Sequence, residues 1–401
     1  MSTVPMLIEN QSMNYFVFID NTNNKFTYAC IAHKILDGYL KPENVVLFHS
    51  KESFIKETDD YGVVSRLDKV YDIEELVRFD FRTALKIHFL SLRSKNSDVI
   101  DVVINQLAVD PSRIFIIITD DEVSRWYGLY LAHGRLLPCI DNSVNEKTIS
   151  LMSQLNNFIC LYEPWGNMLE TVLGRHVNIS DFNAGFTPNS ALRGIPLIER
   201  KDKRSFRVLF GAKPSSLQFD RQAAKAVVLF LFSSRKILRN SRVKFGFWSS
   251  HPIRMILRSP FSWLYCEIAK FVAFAGGRLL SIDIRFESLR VAPFNDYVQA
   301  LSRFDFLILK ARGSLGGSHL FRRMGGVVLF PTNSPNYRAI ASLGAQSNFL
   351  VYNGLLDALQ TALSKIDTYD DFVKKDRESL NARRDIMSRR IKEFYSTSES
   401  I

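Results

Sequence analysis

The sequence predicts an α/β fold made of two facing Rossmann-like domains and a closing C-terminal helix. Three observations predict it. The chain has 401 residues, two to three times an ordinary domain. Short β-branched and aromatic runs alternate with helix-spaced segments, as in parallel sheets with crossover helices. The alternation restarts after the charged stretch 199–204, so the pattern occurs twice.

Taken in order, Tyr15–Asp20 is an apolar run ending in an acid, followed by polar residues 21–25 and a helix-spaced segment over 26–40. Val45–His49 repeats the strand pattern, and 73–92 reads as a helix. Residues 114–119 are almost continuously apolar, as a strand covered on both faces of a parallel sheet must be. In the second half, 207–210, 243–247, 279–284, 306–310 and 327–330 read as strands, and 220–232, 297–303 and 318–324 as helices. Gly325-Gly326 stops the last of these, where the chain has to take positive φ. Over 369–395, Phe372, Leu380, Met387, Ile391 and Phe394 recur at near-helical spacing, so a long charged helix packs one face down. The expected domains are 1–195 and 205–370, with 371–401 packing back across both. Ligands of such sheets bind at the carboxyl ends of the strands, here in the cleft between the halves.

Charge is distributed unevenly. Residues 1–200 carry 19 basic and 25 acidic side chains, a balance of −6, while 201–401 carry 33 and 16, a balance of +17. An anionic partner therefore belongs to the second half. No apolar run reaches the roughly 18–20 residues of a membrane span, and the N-terminus has no basic segment leading into an apolar one. Cys30, Cys139, Cys160 and Cys266 lie far apart without metal-like spacing, so buried thiols in a reducing cytoplasm are expected, with no metal.

Six segments carry candidate chemistry. In 310–326 a buried strand delivers a Gly/Ser loop into a helix N-terminus, where backbone amides and the helix dipole favour a phosphate. Arg312, Ser314, Gly316, Gly317 and Ser318 are its donor-binding candidates; no Walker lysine follows. Gly211, Lys213, Ser215 and Ser216 occupy the equivalent loop after the first strand of this half, and Ser334 and Asn336 a third. His251, in His251-Pro252, follows another strand and offers a phosphate ligand. In the first half, Asp120, Asp121 and Glu122 cluster at the end of the strongest strand, where mutual repulsion raises a carboxylate pKa toward that of a general base. Asp121 is the leading catalytic candidate and Asp120 the second; the same residues would also serve as an acidic helix start. Between Asp220 and Glu267 lie nine Lys or Arg residues and no acid, with Trp248, Phe261, Trp263 and Tyr265 among or just after them. Basic residues mixed with amphipathic aromatics suit an anionic membrane surface, and no nucleic-acid-binding signature is present.

The segment FNDYVQALSRFDFLILKARGSLGGSHLFRRMGGVVLFPTNSPNY, 294–337, resembles the donor half of the bacterial 4-acetamido-4,6-dideoxygalactosyltransferases of enterobacterial common antigen synthesis. Gly211–Ser216 looks like that family's glycine-serine turn, and Trp165-Gly166-Asn167 is similar to its Trp-Gly motif, with Met168 where an Asp is expected. The resemblance implies the two-Rossmann glycosyltransferase architecture called GT-B and hexosyl transfer from a nucleotide-sugar co-substrate to a glycan or lipid-linked acceptor in surface polysaccharide synthesis. It implies no cofactor, no metal requirement, and acceptor contacts at Trp165 and Asn167. A cytoplasmic enzyme, peripheral at the inner membrane face, is the corresponding expectation. Asp120-Asp121 with His251-Pro252 and a serine loop is also similar to bacterial sialyltransferases, which implies a CMP-sugar donor; here Glu122 stands where that family has glycine. A non-catalytic sugar-nucleotide or polysaccharide binder is the alternative outside enzymes.

Overall fold

The computed structural model describes residues 14–21, 25–50, 59, 61–118, 120–139, 144–160, 163–180, 182, 194–200, 202, 204–214, 216–249, 251, 253–311, 313–341 and 349–396. The chain divides into two compact units, Met1–Gly194 with Asp385–Ile401, and Ile195–Arg384.

The first unit is built on seven parallel strands: β1 (Tyr15–Asp20), β2 (Val45–His49), β3 (Val70–Asp72), β4 (Ala84–Leu90), β5 (Ile114–Ile118), β6 (Asn157–Cys160) and β7 (Asn178–Ser180). Their order is β3-β2-β1-β4-β5-β6-β7. The second unit repeats the arrangement with β8 (Ser205–Phe210), β9 (Arg242–Trp248), β10 (Asp283–Leu289), β11 (Phe306–Ile308), β12 (Val327–Pro331) and β13 (Leu350–Tyr352), ordered β10-β9-β8-β11-β12-β13 and again parallel throughout. Both sheets are thus doubly wound, with the order reversing between the first and fourth strands of each. All six residues of β1 are buried, because helices on both faces leave no solvent side. Each large apolar side chain so covered contributes about 1.5–3 kcal/mol.

The first core gathers Phe16, Phe18, Ile31, Leu47, Ile117 and Ile159 with Ile391 and Tyr395 of the C-terminal helix. The second gathers Phe206, Phe230, Phe245, Phe306 and Leu329 with Tyr369 and Val373. The helix Tyr369–Ser396 therefore contributes its beginning to the second unit and its end to the first. Near its beginning, Asp376 pairs with Arg322 inside the second unit, both almost fully buried.

Three expectations need correction. The segment 73–92 is not a helix: a capping box at Asp72 and Glu75 starts only the 3-10 turn Ile73–Arg78, and Ala84–Leu90 is the central strand β4. Ile73, Leu76, Val77 and Phe81 imitate helical spacing, but parallel pairing on both sides of β4 buries more of this segment than one helix face could. The strand expected at 279–284 begins at Asp283, after the twenty-residue helix Pro260–Leu279. Of the thiols, Cys30, Cys160 and Cys266 are buried while Cys139 is half-buried. Among the described residues no helix is long and apolar enough to cross a membrane.

Candidate functional site

The carboxyl edge of the second sheet brings three loops together at its switch point. After β8 the chain turns toward β9 and after β11 toward β12, so the two loops diverge where the strand order reverses. Gly211 sits at φ +75°, a conformation open to glycine without strain, and its N–H donates to Ile308 O at 2.8 Å. Trp248 Nε1 donates to Gly211 O at 2.8 Å, and Tyr297 Oη donates to Ala212 O, also at 2.8 Å. The two rings stack with centroids 6.1 Å apart, so an aromatic pair fixes the first loop from behind. Gly317 meets the same place. A Cβ there would stand 2.6 Å from Tyr297 Oη and 2.8 Å from Ala212 Cβ, so only glycine lets this helix start approach the 211–213 turn.

That helix runs Leu315–Arg323, entered through two left-handed residues, Gly313 (φ +75°) and Ser314 (φ +68°). Its first-turn amides have no intrahelical acceptor, and Ser314 provides no side-chain cap. Gly316 is exposed, with open space where its Cβ would be. A helix start carries the positive end of the helix dipole, and among the described residues no side chain caps this one. Lys213 Nζ lies 3.9 Å from the place of a Gly313 Cβ. Burial and then the Lys213 charge push the half-buried Lys310 below the ordinary lysine range, with Asp220 opposing. Lys213 thus lies beside the loop that enters the helix N-terminus, a combination that favours anionic oxygens.

His251 lies at the same edge, its Nε2 2.7 Å from Asp220 Oδ2 and both side chains nearly inaccessible. Its Nδ1 is buried with no hydrogen-bond partner among the described residues. Other candidates shape the loops rather than face outward. Asn336 Nδ2 donates to Lys310 O at 2.9 Å and Gly313 O at 3.0 Å, setting the course of the loop after β11. Ser334 Oγ accepts from Tyr337 N at the start of Pro335–Ala341, and Ser216 Oγ accepts from Phe219 N at the start of Leu217–Ser233. Ser318, fully buried, donates its hydroxyl to Leu315 O at 2.7 Å. Arg312 and Ser215 lie outside the described residues. Asp220, Lys310, Trp248 and Tyr297 are not among the donor-binding candidates read from sequence; Trp248 stands there only among the aromatic residues of the basic tract, and Tyr297 in the Phe-x-x-Tyr opening of the resemblance segment.

In the first unit, Asp120 and Asp121 open the helix Asp120–His133 directly after β5, at the carboxyl edge; their side chains lie outside the description. Glu122 turns inward and accepts from Leu92 N at 2.7 Å. Burial, helped by the Glu122 charge, pushes the Cys160 thiol up to about 12. Trp165, in the first turn of Glu163–Leu173, is buried, and Asn167 beside it is exposed. Among the described residues no cluster of three or more His, Cys, Asp or Glu could hold a metal.

No protein-family model matches the chain, and no curated protein matches its sequence. Solved structures do match its fold. Anabaena HepE, crystallised with UDP and glucose, is 8 % identical with a TM-score of 0.57, covering 96 % of this chain and 99 % of its own. A glycosyltransferase from Rickettsia africae gives 10 %, 0.55, 97 % and 100 %. Sucrose-phosphate synthase from Thermosynechococcus elongatus gives 10 %, 0.56, 96 % and 98 %. The fold class is accordingly that of the GT-B glycosyltransferases, two Rossmann-like α/β domains, each with a parallel sheet.

Proposed function

We propose that this protein is a glycosyltransferase that holds the diphosphate of a nucleotide-sugar donor on the mouth of the helix Leu315–Arg323. The observation that carries this reading is the helix start at the exposed Gly316, which no described side chain caps, with Lys213 beside the loop that enters it. The structural neighbours crystallised with UDP and UDP-glucose support a sugar-nucleotide ligand. In this reading Lys213 and the first-turn amides offset charge on the departing phosphate, with Arg312 adding a bidentate donor. Asp121 takes the proton from the acceptor hydroxyl, and Asp120 is its alternate. The acceptor is a glycan or a lipid-linked sugar, as the resemblance of 294–337 suggests, with Asn167 on its path. The nucleotide sugar is a co-substrate, and no metal or further cofactor is required.

Calorimetry with UDP-, TDP- and CMP-sugars, followed by donor turnover, tests this. One class should bind. Lys213→Ala should weaken that binding about 10- to 100-fold, the worth of one charge-assisted hydrogen bond. Asp121→Asn should keep binding and lower turnover at least about 100-fold. Binding by no sugar nucleotide rejects the site; binding without turnover over any acceptor leaves a sugar-nucleotide-binding protein instead of an enzyme.

A further inference from the structure

We propose that the outer face of the helices Ile253–Arg258 and Pro260–Leu279 docks on an anionic lipid bilayer. The second helix is inverted relative to an ordinary surface helix. Toward the helix Leu217–Ser233 and the edge strand β10 it buries small residues, Ser262, Cys266, Ala269, Ala273 and Gly277, at helical spacing. Gly277 is required there, since a Cβ would stand 2.2 Å from Ile284 Cδ1 of β10. Toward solvent it presents Phe261, Leu264, Ile268, Phe271, Val272 and Leu279, with Phe261 83 % and Phe271 71 % exposed. A helix that only closes a soluble core turns its large apolar residues inward. Exposed Ile253 and Leu257 extend the stripe at one end. Phe232, 3.4 Å from the place of a Gly276 Cβ, widens it near the other. A contiguous apolar face of this kind marks an interaction site.

Charge selects the partner. Arg235, Lys236, Arg239, Arg254 and Arg258 are exposed around the stripe, and no acid occurs from 221 to 266. On the second helix the one acid, Glu267, is paired with Lys270 at 2.7 Å. Trp263 and Tyr265, both partly exposed, supply the amphipathic rings that favour the headgroup level. An apolar stripe rimmed by cations complements a bilayer carrying anionic headgroups. A helix of twenty residues, about 30 Å long, would lie in the plane of that surface. The first of the two helices begins two residues beyond His251, so the docking face adjoins the sheet edge that carries the phosphate-binding loops. The proposal does not depend on which ligand those loops take.

The test is sedimentation of the full chain with phosphatidylcholine vesicles, with and without about 30 mol % phosphatidylglycerol. The wild type should partition onto the anionic vesicles at least about tenfold more strongly, and about 0.5 M salt should erase that preference. Arg254→Gln with Arg258→Gln should weaken anionic binding about 25-fold, fivefold per charge. Phe261→Ser with Phe271→Ser should abolish binding to both vesicle types at an unchanged thermal midpoint, as these residues cover nothing in the fold. Absence of wild-type binding, or equal binding by wild type and both variants, overturns the proposal. So does self-association in ultracentrifugation that only the phenylalanine pair abolishes, without vesicle binding, for that assigns the face to a second copy. Sugar-nucleotide calorimetry on the same variants should be unchanged, which keeps this outcome separate from the donor reading.

Discussion

The two sheets share one strand order and differ at the loop that follows the fourth strand of each. In the second unit, side chains claim the carbonyls of the loops: Trp248 takes Gly211 O, Tyr297 takes Ala212 O, and Asn336 takes Lys310 O and Gly313 O. Among the described residues no side chain caps the helix start at Leu315. In the first unit the amides of the matching loop are claimed: Glu122 takes Leu92 N and Ser91 Oγ takes Arg93 N, while Asn96 Nδ2 takes the carbonyls of Leu90 and Ser91. A loop whose amides are already taken has less to offer an anion, which is why the proposed donor site belongs to the second unit. The difference lies in the loops and not in the topology, as expected where one fold hosts many functions.

Closing the second edge should produce the largest effect. Gly317→Val pushes a branched side chain against Tyr297 Oη and Ala212 Cβ, which lie 2.6 Å and 2.8 Å from where its Cβ must go. The 211–213 turn and the helix mouth can no longer sit together. Affinity for the sugar nucleotide that binds the wild type should fall more than about 100-fold by calorimetry, the usual cost of overpacking being about 1–3 kcal/mol before any ligand contact is lost. Retained affinity would mean that the close approach of these two loops is not what builds the site.

The matching change at the first edge should cost stability and leave donor binding alone. Glu122→Ala removes the charged acceptor of Leu92 N at a site only 2 % exposed. Urea unfolding should report a loss of about 1.5–3 kcal/mol. A parallel fall in sugar-nucleotide affinity would break the contrast between the edges.

How much of this was legible in sequence follows the same division. Parallel strands covered on both faces announce themselves as unbroken apolar runs, so β1, β5 and β12 were readable. The glycine loop was readable because only glycine and a few polar residues tolerate such turns. The direction of a hydroxyl was not. Ser318 and Ser334 have the right type and position, yet one donates into its own helix and the other caps the next. Pairs formed across the fold were equally silent: Asp220 and His251 are 31 residues apart, and nothing local links them. The helix Pro260–Leu279 was overlooked because its apolar residues lie outside, which blurs the pattern that normally separates a helix from neighbouring strand sequence.

The smallest effect concerns the core beneath the first edge. His88, in β4, is 1 % exposed, stacked on Phe18 with centroids 4.6 Å apart and set between Phe115 and Tyr395. Burial, reinforced by the charges of Lys86 and Lys34 and opposed by the Val17 carbonyl, lowers its pKa from 6.5 to about 3. The folded ring stays neutral while the unfolded one takes a proton below its ordinary pKa. Stability is therefore fully present above about pH 6.5 and drains away as the pH falls toward 3. At pH 5 the loss should be about 2 kcal/mol. His88→Phe fills a similar volume and cannot bind a proton, so its urea midpoint should change less between pH 7.5 and pH 5 than that of the wild type. A residual slope belongs to His319 in the second unit, which burial and neighbouring arginines also push down. Equal slopes in wild type and variant would show that the first unit owes no acid sensitivity to this ring. A flattened slope would locate that sensitivity in the aromatic stack joining β4 to the end of the C-terminal helix, where Tyr395 Oη lies 3.4 Å from His88 Nε2.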